Sequence, residues 1–224
     1  MKPDQLTFDL SRRPALGRSA FMVAGSNALA VHQVENWQDW PQRKMALVGP
    51  EGSGKTHLVH VWAEMSGARI IQADDLATME PPLDASVVAV ENIEGIRSLP
   101  EVKAIEEKLF HLHNALAASG GYLMVTGRNP PAHWRLGLPD LASRMNAAQV
   151  AGLDAPDDEL LAALLVKLFG DRQLNVAPDL IAYLVPRIDR SFLAAAGIVS
   201  RLDEAALALS RPVTRKLASD ILSN

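Results

Sequence analysis

The chain is organised around the segment Gly49-Pro50-Glu51-Gly52-Ser53-Gly54-Lys55-Thr56, which follows the apolar run Met45–Val48. This segment matches the pattern G-x-x-x-x-G-K-[ST] at every fixed position, and a helical pattern follows it. The glycines let backbone N–H groups turn inward around phosphate oxygens, and the positive end of the helix faces the same anion. In this pattern Lys55 reaches the β- and γ-phosphates and the Thr56 hydroxyl holds Mg²⁺. We therefore predict that residues 49–56, with the adjacent His57, bind ADP or ATP with Mg²⁺.

Short apolar runs that alternate with helical patterns predict an α/β fold with a doubly wound parallel sheet. The runs are nearly continuous rather than alternating, which is typical of parallel strands covered on both faces. The expected strands are Met45–Val48, Arg69–Gln72, Val87–Val90, Tyr122–Val125 and Gln149–Leu153. Between the third and fourth strands, residues 101–118 carry apolar side chains at three- and four-residue steps, and Gly120 ends this helix. Glu106, Glu107 and Lys108 are expected on its solvent face.

The pattern changes after about residue 156, where the strand runs stop. Helices are expected at 157–169, 178–187, 191–209 and 214–222, with Asp157 and Thr214 as N-caps. We therefore expect three regions: a flexible tail at 1–20, a nucleotide-binding domain at 21–155 and a small all-helical domain at 156–224.

Composition excludes several classes of function. The chain has 224 residues, no cysteine and a net charge of −4. Disulfides, thiolate metal sites and cysteine nucleophiles are therefore excluded, and the acidic balance disfavours sequence-specific DNA binding by the chain alone. The sequence has no apolar run of about 18 residues and no signal-peptide pattern, so we expect a cytoplasmic protein without a membrane span.

A second polar feature follows the run Val87–Val90, where Glu91 and Asn92 come directly after the apolar residues. ATPases with this phosphate loop place an acid there to hold Mg²⁺, and often a second acid to activate water. Glu91 is therefore a candidate metal ligand beside Thr56, and the alternative is that it is only the polar end of a buried strand. Asn92 stands at the second catalytic position and cannot accept a proton as a carboxylate does, which predicts weak intrinsic hydrolysis.

Three further segments resemble the AAA+ ATPases of the bacterial replication initiator DnaA group: Gly137-Leu138-Pro139-Asp140-Leu141-Ala142-Ser143-Arg144, Val125-Thr126-Gly127-Arg128-Asn129-Pro130-Pro131 and Ile188-Asp189-Arg190-Ser191-Phe192-Leu193. The first is similar to the family's box VII, which implies that Arg144 is an arginine finger directed at the nucleotide of a neighbouring subunit. The second resembles sensor 1 and implies that Asn129 is the sensor 1 residue. The family often has an acidic residue at the position of Arg128 or Asn129, which this chain lacks. The alternative is that the segment is a simple turn built by its two prolines. The third implies that Arg190 is the sensor 2 arginine, which couples a helical lid to the nucleotide.

The N-terminal tail also carries a resemblance. The hexapeptide Gln5-Leu6-Thr7-Phe8-Asp9-Leu10 is similar to the motif by which replication proteins dock on the sliding clamp. The resemblance implies that Gln5, Leu6, Phe8 and Leu10 contact the clamp. A random amphipathic tail is the alternative.

The resemblance covers nearly the whole chain and implies a regulator of replication initiation. Such a protein docks on the DNA-loaded clamp and stimulates ATP hydrolysis by DnaA through its arginine finger. No room is expected after the last helix for the helix-turn-helix domain with which DnaA reads DNA. Two rival hypotheses are an adaptor without a catalytic contribution and a helicase-loader ATPase; a small-molecule kinase is least favoured, because no acceptor-binding insert is evident. Self-association stays open.

Overall fold

The computed structural model describes residues 21–79 and 85–223. Five strands form one parallel sheet: β1 (Lys44–Val48), β2 (Arg69–Gln72), β3 (Val87–Glu91), β4 (Tyr122–Gly127) and β5 (Gln149–Gly152). Their order across the sheet is β2-β3-β4-β1-β5. The five predicted strands are confirmed, with bounds that shift by no more than two residues.

One helix precedes the first strand, and the others connect the strands or follow them. They are α1 (Ala28–Glu35), α2 (Lys55–Ser66), α3 (Val102–Ser119), α4 (Pro139–Asn146), α5 (Asp158–Asp171), α6 (Pro178–Leu184), α7 (Phe192–Leu209) and α8 (Arg215–Leu222). The long helix predicted over residues 101–118 is α3, and Gly120 ends it in the left-handed conformation at φ 71°. None of the helices in the described part of the chain is long and apolar enough to cross a membrane.

The two faces of the sheet are covered by different helices. Successive side chains of a strand point to opposite faces, and β1 is buried along its whole length. Ala46 and Val48 therefore pack into one hydrophobic core with residues of α3 and α4. Met45 and Leu47 pack into a second core with residues of α1 and α2. This two-sided burial explains why the strand reads as a continuous apolar run, and it gives the doubly wound α/β architecture.

A small all-helical lid follows the sheet. The helices α5–α8 share a third hydrophobic core, drawn from residues between Leu161 and Ala218. Both predicted N-caps are confirmed: Asp157 accepts a hydrogen bond from the Leu160 amide at 2.8 Å, and Thr214 accepts one from the Leu217 amide at 3.3 Å.

The strand order determines which segments meet. Carboxyl ends of parallel strands lie at one edge of the sheet, and β4 lies between β3 and β1. The phosphate-loop segment after β1, Glu91 at the end of β3 and Arg128 after β4 therefore converge at this edge. Lys44, the first residue of β1, lies at the opposite edge, about 13 Å from the last residue of this five-residue strand.

Candidate nucleotide-binding site

The phosphate loop, residues 49–56, needs glycine where it approaches the lid. Gly52 and Gly54 have φ values of 73° and 97°, which side chains rarely adopt. A Cβ atom added to Gly52 would lie 2.5 Å from Cβ of Ser191, at the start of α7. The glycine pattern thus serves both the turn of the loop and its close contact with the lid.

Lys55 lies inside the turn of this loop. Its Nζ donates hydrogen bonds to the carbonyl oxygens of Gly49 and Pro50, at 2.7 and 2.8 Å. Burial lowers the pKa of Lys55, and the positive charge of Arg128 lowers it further, whereas nearby acids raise it. An ammonium group held in this way is positioned for an anion that enters the loop.

Thr56 and Glu91 come together as the sequence predicts. The Thr56 hydroxyl donates to Glu91 Oε1 at 2.8 Å, and Glu91 is only 4% exposed. Gln72 Nε2 donates to Glu91 Oε2 at 3.1 Å. Sequence reasoning missed Gln72, although it ends β2 in register with Glu91 on the neighbouring strand. The glutamine fixes the carboxylate that faces the loop.

The oxygens of Thr56 and Glu91 fit Mg²⁺ chemically. Mg²⁺ prefers hard oxygen ligands and is usually held by one or two protein groups, with phosphates and water completing its shell. Within residues 21–79 and 85–223, no group of three or more His, Asp or Glu side chains forms a metal cluster. A hydroxyl paired with one carboxylate is the donor set expected for a metal that arrives with a nucleotide.

The segment after β4, which resembles sensor 1, is anchored by Glu94. This carboxylate accepts hydrogen bonds from the backbone N–H groups of Arg128 and Asn129, at 2.5 and 3.1 Å, and from Asn129 Nδ2 at 3.0 Å. The structure therefore places the Asn129 side chain against Glu94. The side chain that reaches the phosphate loop is that of Arg128, which contacts Glu51 Oε2 at 2.6 Å.

Asn92 turns the chain at the end of β3. It has a left-handed φ of 63°, and its backbone N–H donates to Thr126 Oγ1 at 3.0 Å. Its side chain folds over Gly95, where an added Cβ would lie 2.4 Å from Asn92 Nδ2. The residue shapes the turn that brings Glu94 to the segment after β4.

The lid contacts the phosphate loop through the first turn of α7. The backbone N–H of Phe192 donates to the carbonyl of Gly52 at 2.8 Å, and Ser191 caps the helix through the Ala194 amide at 2.9 Å. The preceding residue, Arg190, forms an exposed ion pair with Asp158 of α5 at 2.7 Å. The predicted sensor 2 arginine thus comes just before the lid residues that contact the loop, while its guanidinium pairs with Asp158 on the lid.

His57, the residue after the loop, has a packing contact. Its ring lies edge-on to the ring of Phe21, with centroids 5.0 Å apart. Phe21 is buried at the start of the described chain. This contact joins the first turn of α2 to the segment that precedes α1.

Arg144 lies at the other edge of the sheet. It is exposed on α4, with its guanidinium carbon 5.7 Å from the centroid of the Phe110 ring. Its charge acts on the buried pair Lys44 and His113, whose Nζ and Nε2 atoms are 3.4 Å apart. Burial lowers the pKa of both groups, and the charge of Arg144 lowers each further. Since Lys44 begins β1 and the phosphate loop follows its end, Arg144 is directed away from the chain's own loop.

One expectation for α3 is wrong. Glu106 does not face solvent: it is 5% exposed and accepts hydrogen bonds from the backbone N–H groups of Gly137 and Leu138, at 2.9 and 2.7 Å. No side chain of its own caps the N-terminus of α4, so this buried carboxylate satisfies the free amides there. Lys108 is also engaged, donating to the carbonyls of Ala77 and Met79. Glu107 is exposed, as expected.

The predicted clamp-contacting residues Gln5, Leu6, Phe8 and Leu10 lie outside the described residues. Clamp binding therefore stays a prediction from the sequence.

Comparison with known proteins gives the fold. No family model matches the chain. Domain III of the Thermotoga maritima replication initiation protein DnaA is 19% identical, with a TM-score of 0.78 over 92% of this chain and 95% of that one. The replication initiator DnaA bound to AMPPCP and single-stranded DNA is 17% identical, with a TM-score of 0.68 over 88% and 69%. A RuvB mutant from Thermotoga maritima is 15% identical, with a TM-score of 0.69 over 94% and 72%. The chain therefore has the AAA+ fold, of the DnaA-like kind, which places its phosphate-loop segment at the carboxyl edge of a five-stranded parallel sheet.

Proposed function

We propose that this chain is a nucleotide-binding AAA+ protein that binds ADP or ATP with Mg²⁺ in the loop 49–56. The convergence of Lys55, Thr56 and Glu91 at one edge of the sheet is the observation that carries this proposal. Lys55 supplies the positive charge, and the loop amides and the N-terminus of α2 supply further donors for phosphate oxygens. Bound Mg²⁺ neutralises charge on the phosphates, and Thr56 and Glu91 are the residues that would hold it.

We further propose that residues 156–224 act as a lid over this site. The hydrogen bond from Phe192 to Gly52 already joins α7 to the loop, and Arg190 lies two residues before Phe192. An arginine in an exposed ion pair is weakly held, because water screens both charges. Arg190 can therefore exchange Asp158 for a phosphate when nucleotide binds, which would couple nucleotide occupancy to the position of the lid.

Hydrolysis by the chain alone is proposed to be slow. Asn92 carries no carboxylate, and its side chain is folded over Gly95. Glu94, the nearest further acid in sequence, accepts three hydrogen bonds from the segment after β4. A carboxylate occupied in this way is a poor base for activating water.

The main activity is instead proposed to be exerted on a partner. In sequence the chain resembles Hda, the short homologue of DnaA that regulates the initiator, and DnaA structures are among the solved structures with this fold. In this scheme, residues 5–10 dock on the sliding clamp and Arg144 is presented to ATP bound on DnaA. The exposure of Arg144 and its distance from the chain's own loop support an action in trans, since a guanidinium stabilises charge that develops on the γ-phosphate.

The test is ATP hydrolysis by DnaA, measured with and without this protein, clamp and DNA. We expect stimulation by the unaltered chain and by Arg211→Ala, which removes an exposed arginine of the lid, and a loss of at least about 1000-fold of the stimulated rate for Arg144→Ala. Full stimulation by Arg144→Ala would contradict the finger role and favour an adaptor that only holds DnaA at the clamp. Absence of any stimulation, with capture of the replicative helicase instead, would favour a helicase loader.

A further inference from the structure

An exposed ion pair joins the segment after β4 to the phosphate loop. Arg128 and Glu51 meet at 2.6 Å, although their side chains are 64% and 66% exposed. An ion pair this open to water is weakly held, because solvent screens the charges and two long side chains must be ordered to form it. A ligand with more negative charge than one carboxylate can therefore take Arg128 from Glu51.

Arg128 is also close enough to Lys55 to act on it. After burial, the positive charge of Arg128 is the next largest cause that lowers the pKa of Lys55, and Glu51 is the largest of the acids that raise it. The Lys55 and Arg128 cations thus lie close together at the phosphate loop, with the Glu51 carboxylate beside them. Such an arrangement attracts an anion of several charges, which can satisfy both cations at once.

The backbone that carries Arg128 is fixed. Glu94 holds the N–H groups of Arg128 and Asn129 and also the amide of Asn129. No such contact fixes the Arg128 side chain beyond its pairing with Glu51, among the contacts of the described chain. The guanidinium can therefore change partner while the segment that supports it stays in place.

The position of Arg128 indicates which phosphate it faces. It follows β4, and β4 lies between β1, which leads into the loop, and β3, which ends at Glu91. Thr56 and Glu91, the residues that would hold Mg²⁺ against the terminal phosphates of a bound nucleotide, lie at this same edge. Arg128 thus approaches the site from the side of the terminal phosphate.

On the basis of the nucleotide-binding function proposed above, we propose that Arg128 is a second phosphate-binding cation that favours triphosphate over diphosphate, and that Glu51 is a carboxylate that competes for it. The planar guanidinium can donate two hydrogen bonds to oxygens of one phosphate. Glu51 occupies Arg128 until the nucleotide arrives, so it opposes binding although it lies within the phosphate loop. Sequence reasoning instead assigned Glu51 to the nucleotide-binding set with the rest of the motif.

Calorimetric titration of ADP and of AMPPCP, each with Mg²⁺, into the full chain tests this proposal. We expect Arg128→Ala to lower the ratio of AMPPCP to ADP affinity about tenfold, since a charged hydrogen-bonding partner of the terminal phosphate is lost. Glu51→Gln should raise AMPPCP affinity by up to about fivefold, because the competing charge is gone. The control Arg211→Ala removes an exposed arginine beyond the far end of α7, about 27 Å along that helix from its contact with the loop, and should change neither affinity.

Two outcomes would overturn the proposal. An unchanged affinity ratio in both Arg128→Ala and Arg128→Gln would remove Arg128 from the phosphate site, and weaker AMPPCP binding by Glu51→Gln would show that Glu51 assists rather than competes. Lys55→Ala, measured in the same series, separates this inference from the proposed function. Unimpaired binding of both nucleotides by Lys55→Ala would overturn the proposed function. Loss of nucleotide binding in Lys55→Ala, together with an unchanged ratio of AMPPCP to ADP affinity in Arg128→Ala, would overturn only the role of Arg128.

Discussion

The lysines at the two edges of the sheet differ in whether carboxylates lie near them. At the carboxyl edge, Lys55 has the acids Glu51, Glu91 and Glu94 near enough to raise its pKa. At the amino edge, Lys44 is 4% exposed, and no carboxylate pairs with it anywhere in residues 21–79 or 85–223; its contact is the ring of His113.

This difference suits the carboxyl edge to binding a ligand and the amino edge to presenting the charge of Arg144 to another molecule. Cations that lie beside acids at the carboxyl edge are balanced before a ligand arrives and can exchange partners when a phosphate enters. At the amino edge, the buried Lys44, which contacts the neutral ring of His113, adds positive potential near the exposed Arg144. An exposed arginine that has the Lys44 cation near it, and for which the described residues show no ion pair, is suited to meet an anion from outside the chain.

The largest effect is expected where the lid meets the phosphate loop. Gly52→Ala should destabilise the protein by about 2 kcal/mol or more, because the new Cβ would collide with Ser191 at a positive φ. Gly170→Ala in α5 is the matched control: nothing lies within 4 Å of its added Cβ, so it should be neutral or stabilising by about 0.5–1 kcal/mol. Urea unfolding measures both, and an unchanged midpoint in Gly52→Ala would show that this edge is not tightly closed by the lid.

An intermediate effect is expected at Glu106, which links the helix of Arg144 to α3. Glu106→Gln should destabilise the protein by about 1–2 kcal/mol, since a buried charged acceptor of two backbone amides is weakened. The neighbouring exposed residue gives the control, Glu107→Gln, with a change within about 0.5 kcal/mol. Equal effects of the two substitutions in thermal or urea unfolding would mean that Glu106 does not anchor α4.

The smallest effect is a pH dependence at the amino edge. Lys44 can only donate to His113 Nε2, so the neutral ring carries its proton on Nδ1, which faces Asn114 Oδ1 at 3.3 Å. Burial lowers the pKa of His113 from 6.5, the charges of Lys44 and Arg144 lower it further, and Asn114 opposes the shift. Below pH 6.5 the unfolded chain therefore binds a proton more readily than the folded one.

Stability should accordingly be full above pH 6.5, fall as the pH drops through 6.5, and level off below the lowered pKa of His113. Urea unfolding of the unaltered chain and of His113→Gln between pH 5 and 8 measures this loss. The two proteins should differ in the slope of the free energy of unfolding against pH. His111→Gln, an exposed position on the same helix, should retain the slope of the unaltered chain. The same slope in His113→Gln and the unaltered chain would refute a buried His113 that is neutral in the folded protein.

The elements of the fold were predictable because periodicity and caps are local. The β1 run, the long α3 pattern and the caps Asp157 and Thr214 each depend on residues a few positions apart. The phosphate loop was predictable for the same reason, since its glycines and Lys55 are fixed by the geometry of one turn.

The partners within the site were less predictable, because they are brought together by the sheet. Gln72 meets Glu91 only because β2 and β3 are in register, and Arg128 meets Glu51 across 77 positions of sequence. Glu106 directly follows Ile105 of the apolar stripe, so periodicity placed it in solvent, and only the uncapped start of α4 makes a buried acceptor necessary there. A pattern shows which face of a helix is apolar, but it does not show which distant amide a carboxylate will meet.

The most direct test of the central claim is calorimetric titration of ADP with Mg²⁺ into the unaltered chain, Lys55→Ala and Lys216→Ala. Lys216 is an exposed lysine of α8 and controls for the loss of one charge. We predict that Lys55→Ala lowers affinity about 100-fold, because a charged hydrogen-bond donor to phosphate is lost, and that Lys216→Ala binds as the unaltered chain does. Equal affinity in Lys55→Ala and the unaltered chain would contradict a phosphate site at this edge of the sheet.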